Sequence, residues 1–89
     1  MSDCSNHKKE VAGITDMKVL AEMIGDLHYE SLAELMGRLA TKMYKDGLMD
    51  RVNGREYLGY KLDDASNYLS NAARSIQKAW EISKPFMNS

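Results

Sequence analysis

Four acidic side chains recur at every fourth position in the first half of the chain, and they are the first candidates for chemistry. The column continues into two bases and consists of Glu22, Asp26, Glu30, Glu34, Arg38 and Lys42. Carboxylates on one helix face suggest metal binding or proton transfer, but di-iron bundles use inward-facing Glu-x-x-His pairs, which this column lacks. The column also points away from the apolar side of the predicted helix, and acids ahead of bases complement the helix dipole. We therefore interpret it as a solvated face, with a docking strip for a basic partner as the alternative.

Histidine and cysteine are too sparse to predict a metal centre. Cys4 and His7 together supply two ligands, fewer than a structural zinc site needs. His28 belongs to a residue type that titrates near physiological pH, and we interpret it as a hydrogen-bonded, partly buried side chain. Cys4 is expected to be an inert surface thiol. We expect neither a metal nor a cofactor.

Catalytic motifs are equally hard to find. The chain contains no Gly-x-Ser-x-Gly elbow, no Walker loop and no Gly-x-Gly-x-x-Gly turn. All-α nucleotide pyrophosphatases hold magnesium with acids from two helices, but their Glu-x-x-Glu spacing is absent here. Asp63 and Asp64, the other acids available for such a site, fall on the outward side of their predicted helix. We therefore expect a protein that is not an enzyme.

A cluster of basic and aromatic residues near the middle of the chain is the best candidate for ligand or partner binding. It consists of Arg51, Arg55, Tyr57, Tyr60 and Lys61. Arg and Tyr are enriched where proteins bind one another, and the same residue types can hold phosphates and stack on bases. The cluster predicts a macromolecular partner, with nucleotide or RNA as the alternative. A third reading leaves Tyr60 simply covering the loop.

Two long helices must position these residues. Thr15 and Asp16 predict an N-cap after a loose tail at 1–14, and a first helix over about 16–45 ends at Asp46-Gly47. A connection over 47–54 leads through a capping Asn53 to a second helix over about 55–83. Pro85 stops that helix, so that 15–84 form one domain and 85–89 a short tail.

The first predicted helix changes its apolar direction along its length. The apolar side chains over 17–27 and those over 32–43 point about 140° apart at 100° per residue. We interpret this region as one continuous helix that contacts different neighbours along its two halves. A break between Gly25 and Ser31, which would give a three-helix bundle, is the alternative.

The second predicted helix carries the most regular pattern in the chain. Its apolar residues alternate in steps of four and three, as in a coiled coil, and they are Leu58, Leu62, Ala65, Leu69, Ala72, Ile76 and Ala79, flanked by Tyr68 and Trp80. Alanine at every seventh position requires a closely approaching partner backbone, since a void would be destabilising. The first helix would be about 45 Å long, whereas a compact chain of this length has a diameter near ~31 Å. We predict an all-α helical hairpin. Two hairpins would pair antiparallel as a homodimer in a four-helix bundle, or form a higher oligomer. The alternative is that the apolar row of the second helix makes contacts only within the monomer.

Composition limits the remaining function classes. The 89 residues have a net charge of -1 and a single cysteine, so neither a global basic field nor an internal disulfide is expected. Met1 to Glu10 are polar, which predicts no signal peptide, and no apolar run reaches the ~18 residues of a membrane span. We expect a cytoplasmic, non-enzymatic interaction protein: an adaptor, an inhibitor or an assembly factor. A helical oligomer that sequesters nucleotide or RNA is the alternative.

Overall fold

The computed structural model describes residues 11–14 and 16–86, which form three α-helices and a short 3-10 turn. The helices are α1 (Met17–Gly25), α2 (Tyr29–Val52) and α3 (Glu56–Ser83), and the turn covers Lys84–Phe86. Within the described ranges no strand forms, and the only β pairing there is an isolated bridge between Val11 and Ile14. The prediction of an all-α chain is confirmed for these residues. The predicted tails lie largely outside them.

The first predicted helix is not continuous, so our interpretation of that region was wrong. α1 ends at Gly25, and α2 begins only at Tyr29. The ring nitrogen Nδ1 of His28 accepts a hydrogen bond from the backbone N–H of Glu30 at 3.2 Å, which caps the new helix. Because of the break, the apolar side chains of α1 and those of α2 can each face their own neighbours. A single rigid helix would hold the two sets at a fixed angle to each other.

The expected stop at Asp46-Gly47 was also wrong, because α2 continues through Gly47 to Val52. The turn between the long helices is therefore short. Asn53 follows the end of α2 instead of capping α3, and Gly54 adopts φ +88°, a left-handed conformation that favours glycine. α3 then runs unbroken from Glu56 to Ser83.

Small residues at every seventh position bring α2 and α3 together in an antiparallel hairpin. Each step of seven along α2 is matched by a step of seven back along α3, and the facing pairs are Ala33 with Ala73, Ala40 with Ser66, and Gly47 with Gly59. We call these pairs the hairpin seam. The hydroxyl of Ser66 donates a hydrogen bond to the carbonyl oxygen of Ala40 at 2.7 Å across the seam. A close backbone approach thus holds the hairpin together.

The hairpin seam does not use the row of alanines that the sequence pattern singled out. Within the seam, α3 contributes Gly59, Ser66 and Ala73, each one residue after a member of the predicted row. Ala65 and Ala72 are half-buried beside the seam and Ala79 is exposed. The predicted row at Ala65 and Ala72 and the observed row at Ser66 and Ala73 both flank one ridge of larger residues, Leu62, Leu69 and Ile76. The heptad pattern is therefore compatible with either row facing α2.

The hairpin has one apolar and one polar side. Helical periodicity places the following residues on the same side of the antiparallel pair, and we call them the apolar face: Leu32, Leu35, Leu39 and Met43 from α2, and Leu58, Leu62, Ala65, Leu69, Ala72, Ile76 and Ala79 from α3. On the opposite side, Glu30, Glu34, Arg74 and Gln77 line a shallow groove of about 490 Å³ over the seam. Among the described residues, only Ala33 and Ala40 are buried apolar side chains. Two helices alone do not enclose a core.

Candidate functional site

Exposed aromatic and apolar side chains gather where α2 turns into α3. We call this set the loop-end surface: Tyr44, Leu48, Met49, Val52, Tyr57 and Tyr60, each at least 44% exposed. Periodicity directs Tyr44, Leu48 and Tyr60 toward the polar side of the hairpin. A cluster of this kind on a small chain is typical of an interaction surface.

The three predicted binding cations lie at this end, and each has an acidic partner. Arg55 Nε donates a hydrogen bond to Asp50 Oδ1 at 2.8 Å, and Asp50 itself is only 4% exposed. An ion pair between Arg51 and Asp63 joins α2 to α3. Lys61 Nζ lies 3.9 Å from Asp64 Oδ2. The positive charge of the cluster is thus balanced by neighbouring carboxylates.

Two of these cations also contact the predicted tyrosines. The guanidinium carbon of Arg51 lies 5.6 Å from the centre of the Tyr60 ring, and Lys61 Nζ lies 5.4 Å from the centre of the Tyr57 ring. Cations within about 6 Å of an aromatic face are attracted by its quadrupole. The structure therefore brings all five residues of the predicted cluster to one end of the hairpin, with Arg51 and Lys61 against the tyrosine rings.

The backbones of α2 and α3 pack closely at this end of the hairpin, beneath the loop-end surface. A methyl group built on Gly59 would lie 2.6 Å from the carbonyl oxygen of Gly47, and one built on Gly47 would lie 3.1 Å from Asp63 Oδ1. That carboxylate oxygen is buried and has no hydrogen-bond partner of its own. Because the helices touch through glycine, the larger side chains at this end point outward.

The other chemical candidates are dispersed by the fold. The break between α1 and α2 divides the acidic column, and Glu34 pairs with Arg38 at 2.9 Å on the surface. No group of three or more histidine, cysteine or acidic residues within the described part of the chain is arranged to hold a metal ion. Cys4 and His7 lie outside the described residues.

His28 has a structural position at the open end of the hairpin, opposite the turn. Besides capping α2, its ring meets the ring of Trp80 with centroids 4.3 Å apart at an interplanar angle of 61°. Lys84 Nζ lies 5.5 Å from the centre of the same indole. Trp80, predicted to flank an oligomer interface, thus contacts the start of α2 within the chain.

The predicted oligomer-interface residues of α3 share the apolar face with the second apolar stretch of the first predicted helix, which the sequence analysis did not include in the interface. Leu39 and Leu58 remain 39% and 37% exposed on this face, and Leu35 and Met43 are half-buried. Their place on a face shared with α3 depends on which side of α2 meets α3, and that side is set by the contacts of Ala40 and Gly47 with α3. Leu48 and Val52 were missed because they were assigned to a connection.

Comparisons with protein-family models, curated proteins and solved structures found no match for this chain. In the described part of the chain, no helix combines the length and the apolar character needed to cross a bilayer.

Proposed function

We propose that this chain is a small non-enzymatic interaction protein, an adaptor, inhibitor or assembly factor, that acts as a homodimeric four-helix bundle. The observation that carries the proposal is the division of the hairpin into an apolar face and, toward the other side, the loop-end surface. One surface serves self-association and the other serves a macromolecular partner.

The size of the apolar face supports self-association. From Leu58 to Ala79 the face is about 33 Å long, at 1.5 Å per residue, and two helices of about 10 Å make it about 20 Å wide. Two copies would therefore bury about 1,300 Å² in total, within the ~1,200–2,000 Å² of stable protein interfaces. The half-exposed leucines of this face would then form the core that a single hairpin lacks.

The loop-end surface favours a protein partner over a phosphate-bearing ligand. Phosphate binding needs cations that are available to the ligand, and Arg51, Arg55 and Lys61 each lie against a carboxylate. What remains exposed is aromatic and aliphatic, such as Tyr57 and Val52. Such side chains supply contact area to a complementary protein surface.

Two matched substitutions separate the two roles. Leu39→Lys places a charge on the apolar face, and Leu48→Lys places the same charge in the loop-end surface at similar exposure. By light scattering, the wild type and Leu48→Lys should be dimers, whereas Leu39→Lys should be a monomer. A wild-type chain that remains monomeric at high concentration would contradict the proposal.

Affinity capture tests the second role. Protein captured by the wild type should be lost with Leu48→Lys, although that variant still dimerises. Binding of nucleotide or RNA that weakens steeply with salt, in place of a protein partner, would instead support the alternative function.

A further inference from the structure

Three basic side chains lie together on the outer side of α2, next to the loop-end surface. With one threonine they line a groove of about 260 Å³, and we call this set the cationic strip: Arg38, Thr41, Lys42 and Lys45. Residues three and four apart share one side of a helix, and Ala40 marks the side of α2 that meets α3. The cationic strip therefore points away from the hairpin seam.

The cations of this strip are available to a partner. The Arg38 side chain is 78% exposed, whereas those of Arg51 and Arg55 are 22% and 34% exposed. Lys45 is exposed and forms no ion pair with any residue that the structure describes. An ion pair between exposed residues four apart, such as Arg38 with Glu34, contributes little to stability. A carboxylate of a partner can therefore replace Glu34.

Exposed apolar side chains continue from the cationic strip along the same helix. Tyr44, Leu48 and Val52 of the loop-end surface follow one another at intervals of four residues and are 51%, 44% and 70% exposed. Lys45 and Met49 form a second row beside them. Rows of residues four apart form ridges that fit into the grooves of another helix. α2 thus offers a partner helix apolar contact at the turn and positive charge within the preceding turns.

We infer that the partner docks on this surface with an amphipathic helix whose apolar side contacts Leu48 and Val52 and whose acidic side chains pair with the cationic strip. This inference rests on the proposed function, in which the loop-end surface binds a protein, and it specifies the chemistry of that protein. From Arg38 to Val52 the docking surface is about 21 Å long, at 1.5 Å per residue. A partner helix of about four turns covers that length.

Separate acidic side chains suit this surface better than a continuous array of negative charge. Glu34 pairs with Arg38 and Asp46 pairs with Lys42 at the strip, and the whole chain has a net charge of -1. An anionic bilayer or a polyphosphate backbone would bring negative charge against these two carboxylates as well, where like charges repel. The carboxylates of a helix are spaced apart, so they can meet Arg38 and Lys45 without facing Glu34 or Asp46.

Two synthetic helical peptides test this chemistry. Each has about 16 residues, enough for four turns, with leucine at intervals of three and four along one side. The remaining positions carry alanine and glutamate in the acidic peptide, and alanine and lysine in the basic peptide. In titrations of the full chain followed by amide NMR, the acidic peptide should shift the signals of 38–52, and the basic peptide should not. Binding should weaken with added salt, because the paired charges are exposed.

A double charge reversal locates the contact. Arg38→Glu combined with Lys45→Glu should weaken binding of the acidic peptide about tenfold, because two attractive pairs become repulsive. Arg74→Glu combined with Lys78→Glu is the matched control, since it changes the net charge equally at exposed positions of α3. The control should bind the acidic peptide as the wild type does. Equal losses in the two variants would show a general charge effect and contradict the role of the strip.

Failure of this inference and failure of the proposed function give different results. An acidic peptide that binds no better than the basic one, or that shifts only signals of the apolar face, would overturn the acidic helix. Sedimentation of the chain with vesicles of phosphatidylcholine and phosphatidylserine, in place of peptide binding, would overturn it in favour of a membrane surface. In either case, capture of another protein that is lost with Leu48→Lys would leave the proposed function intact. A wild type that binds neither peptide and captures no protein would overturn both.

Discussion

The two ends of the hairpin are held by different kinds of contact. At the turn, two glycines bring the backbones into contact, and Asp50 and Arg55 pair beside them. At the open end the ring of His28, which precedes α2, contacts the ring of Trp80 on α3. Contact through backbone leaves no room for adjustment, whereas contact through rings can be lost without displacing a helix. We therefore expect substitutions at the turn to cost more stability than those at the open end.

The largest effect is expected from Gly59→Ala. The added methyl group would lie 2.6 Å from the carbonyl oxygen of Gly47, and a backbone atom cannot move aside without separating the helices. We predict a loss of about 3 kcal/mol in the free energy of unfolding, at the upper end for an overpacked site. Urea denaturation followed by circular dichroism, at fixed protein concentration, measures it.

Gly37→Ala is the matched control, because a methyl group there meets nothing within 4 Å. Alanine is favoured over glycine inside a helix by about 1 kcal/mol, so this variant should be slightly more stable than the wild type. Equal stability of the two variants would contradict the close approach at the turn.

The next largest effect is expected from Asp50→Ala. It removes a buried carboxylate that accepts a hydrogen bond from Arg55 at 2.8 Å, and bonds to charged groups contribute about 2 kcal/mol. Asp46→Ala, which removes an ion pair to the more exposed Lys42, should cost less than about 0.5 kcal/mol. Chemical denaturation at neutral pH compares the two, and similar losses would show that burial of Asp50 is unimportant.

A smaller effect is expected at the open end from His28→Ala. The variant loses the cap of α2 and the ring contact with Trp80, for a combined cost of about 1.5 kcal/mol. Because Trp80 is the only tryptophan, its fluorescence emission should shift as well. His28→Asn keeps a capping oxygen and should recover part of the stability but not the emission; unchanged emission in both would contradict the ring contact.

The smallest effect is expected from Arg38→Ala, between the two ends. Its side chain is 78% exposed and its partner Glu34 is 63% exposed, so the pair contributes less than about 0.5 kcal/mol. Thermal unfolding should show almost no shift in Tm. A loss comparable with that of His28→Ala would mean that the surface pairs matter as much as the contacts at either end.

Much of α3 could be predicted because local signals agree there. The pattern predicted a helix over 55–83 and the structure has Glu56–Ser83, with Pro85 two residues beyond its end. The start of α1 could also be predicted, because Asp16 is its N-cap. The Asp16 side chain accepts a hydrogen bond from the backbone N–H of Lys18 at 2.9 Å. Capping and proline act within a few residues, so a sequence displays them directly.

The position of Gly47 inside α2 could not be predicted from local sequence signals. A glycine near Asp46 is a normal helix stop, and only the approach of Gly59 from the other helix explains why it lies inside α2 instead. The residues of the predicted binding cluster all lie near the turn, and the carboxylates that pair with its cations come from Asp50, Asp63 and Asp64. Of these, Asp63 reaches Arg51 only because α3 folds back against α2.

The heptad spacing of α3, its end close to Pro85 and its lack of breakers are local properties, and the amino-acid sequence alone determined them. The choice between two small rows, one at Ala65 and Ala72 and the other at Ser66 and Ala73, was decided by tertiary structure. Both rows border the same ridge of Leu62, Leu69 and Ile76, so periodicity is identical for either. The row that faces α2 is the one that lies opposite Ala33, Ala40 and Gly47, because only there can two backbones approach over the full length of the pair.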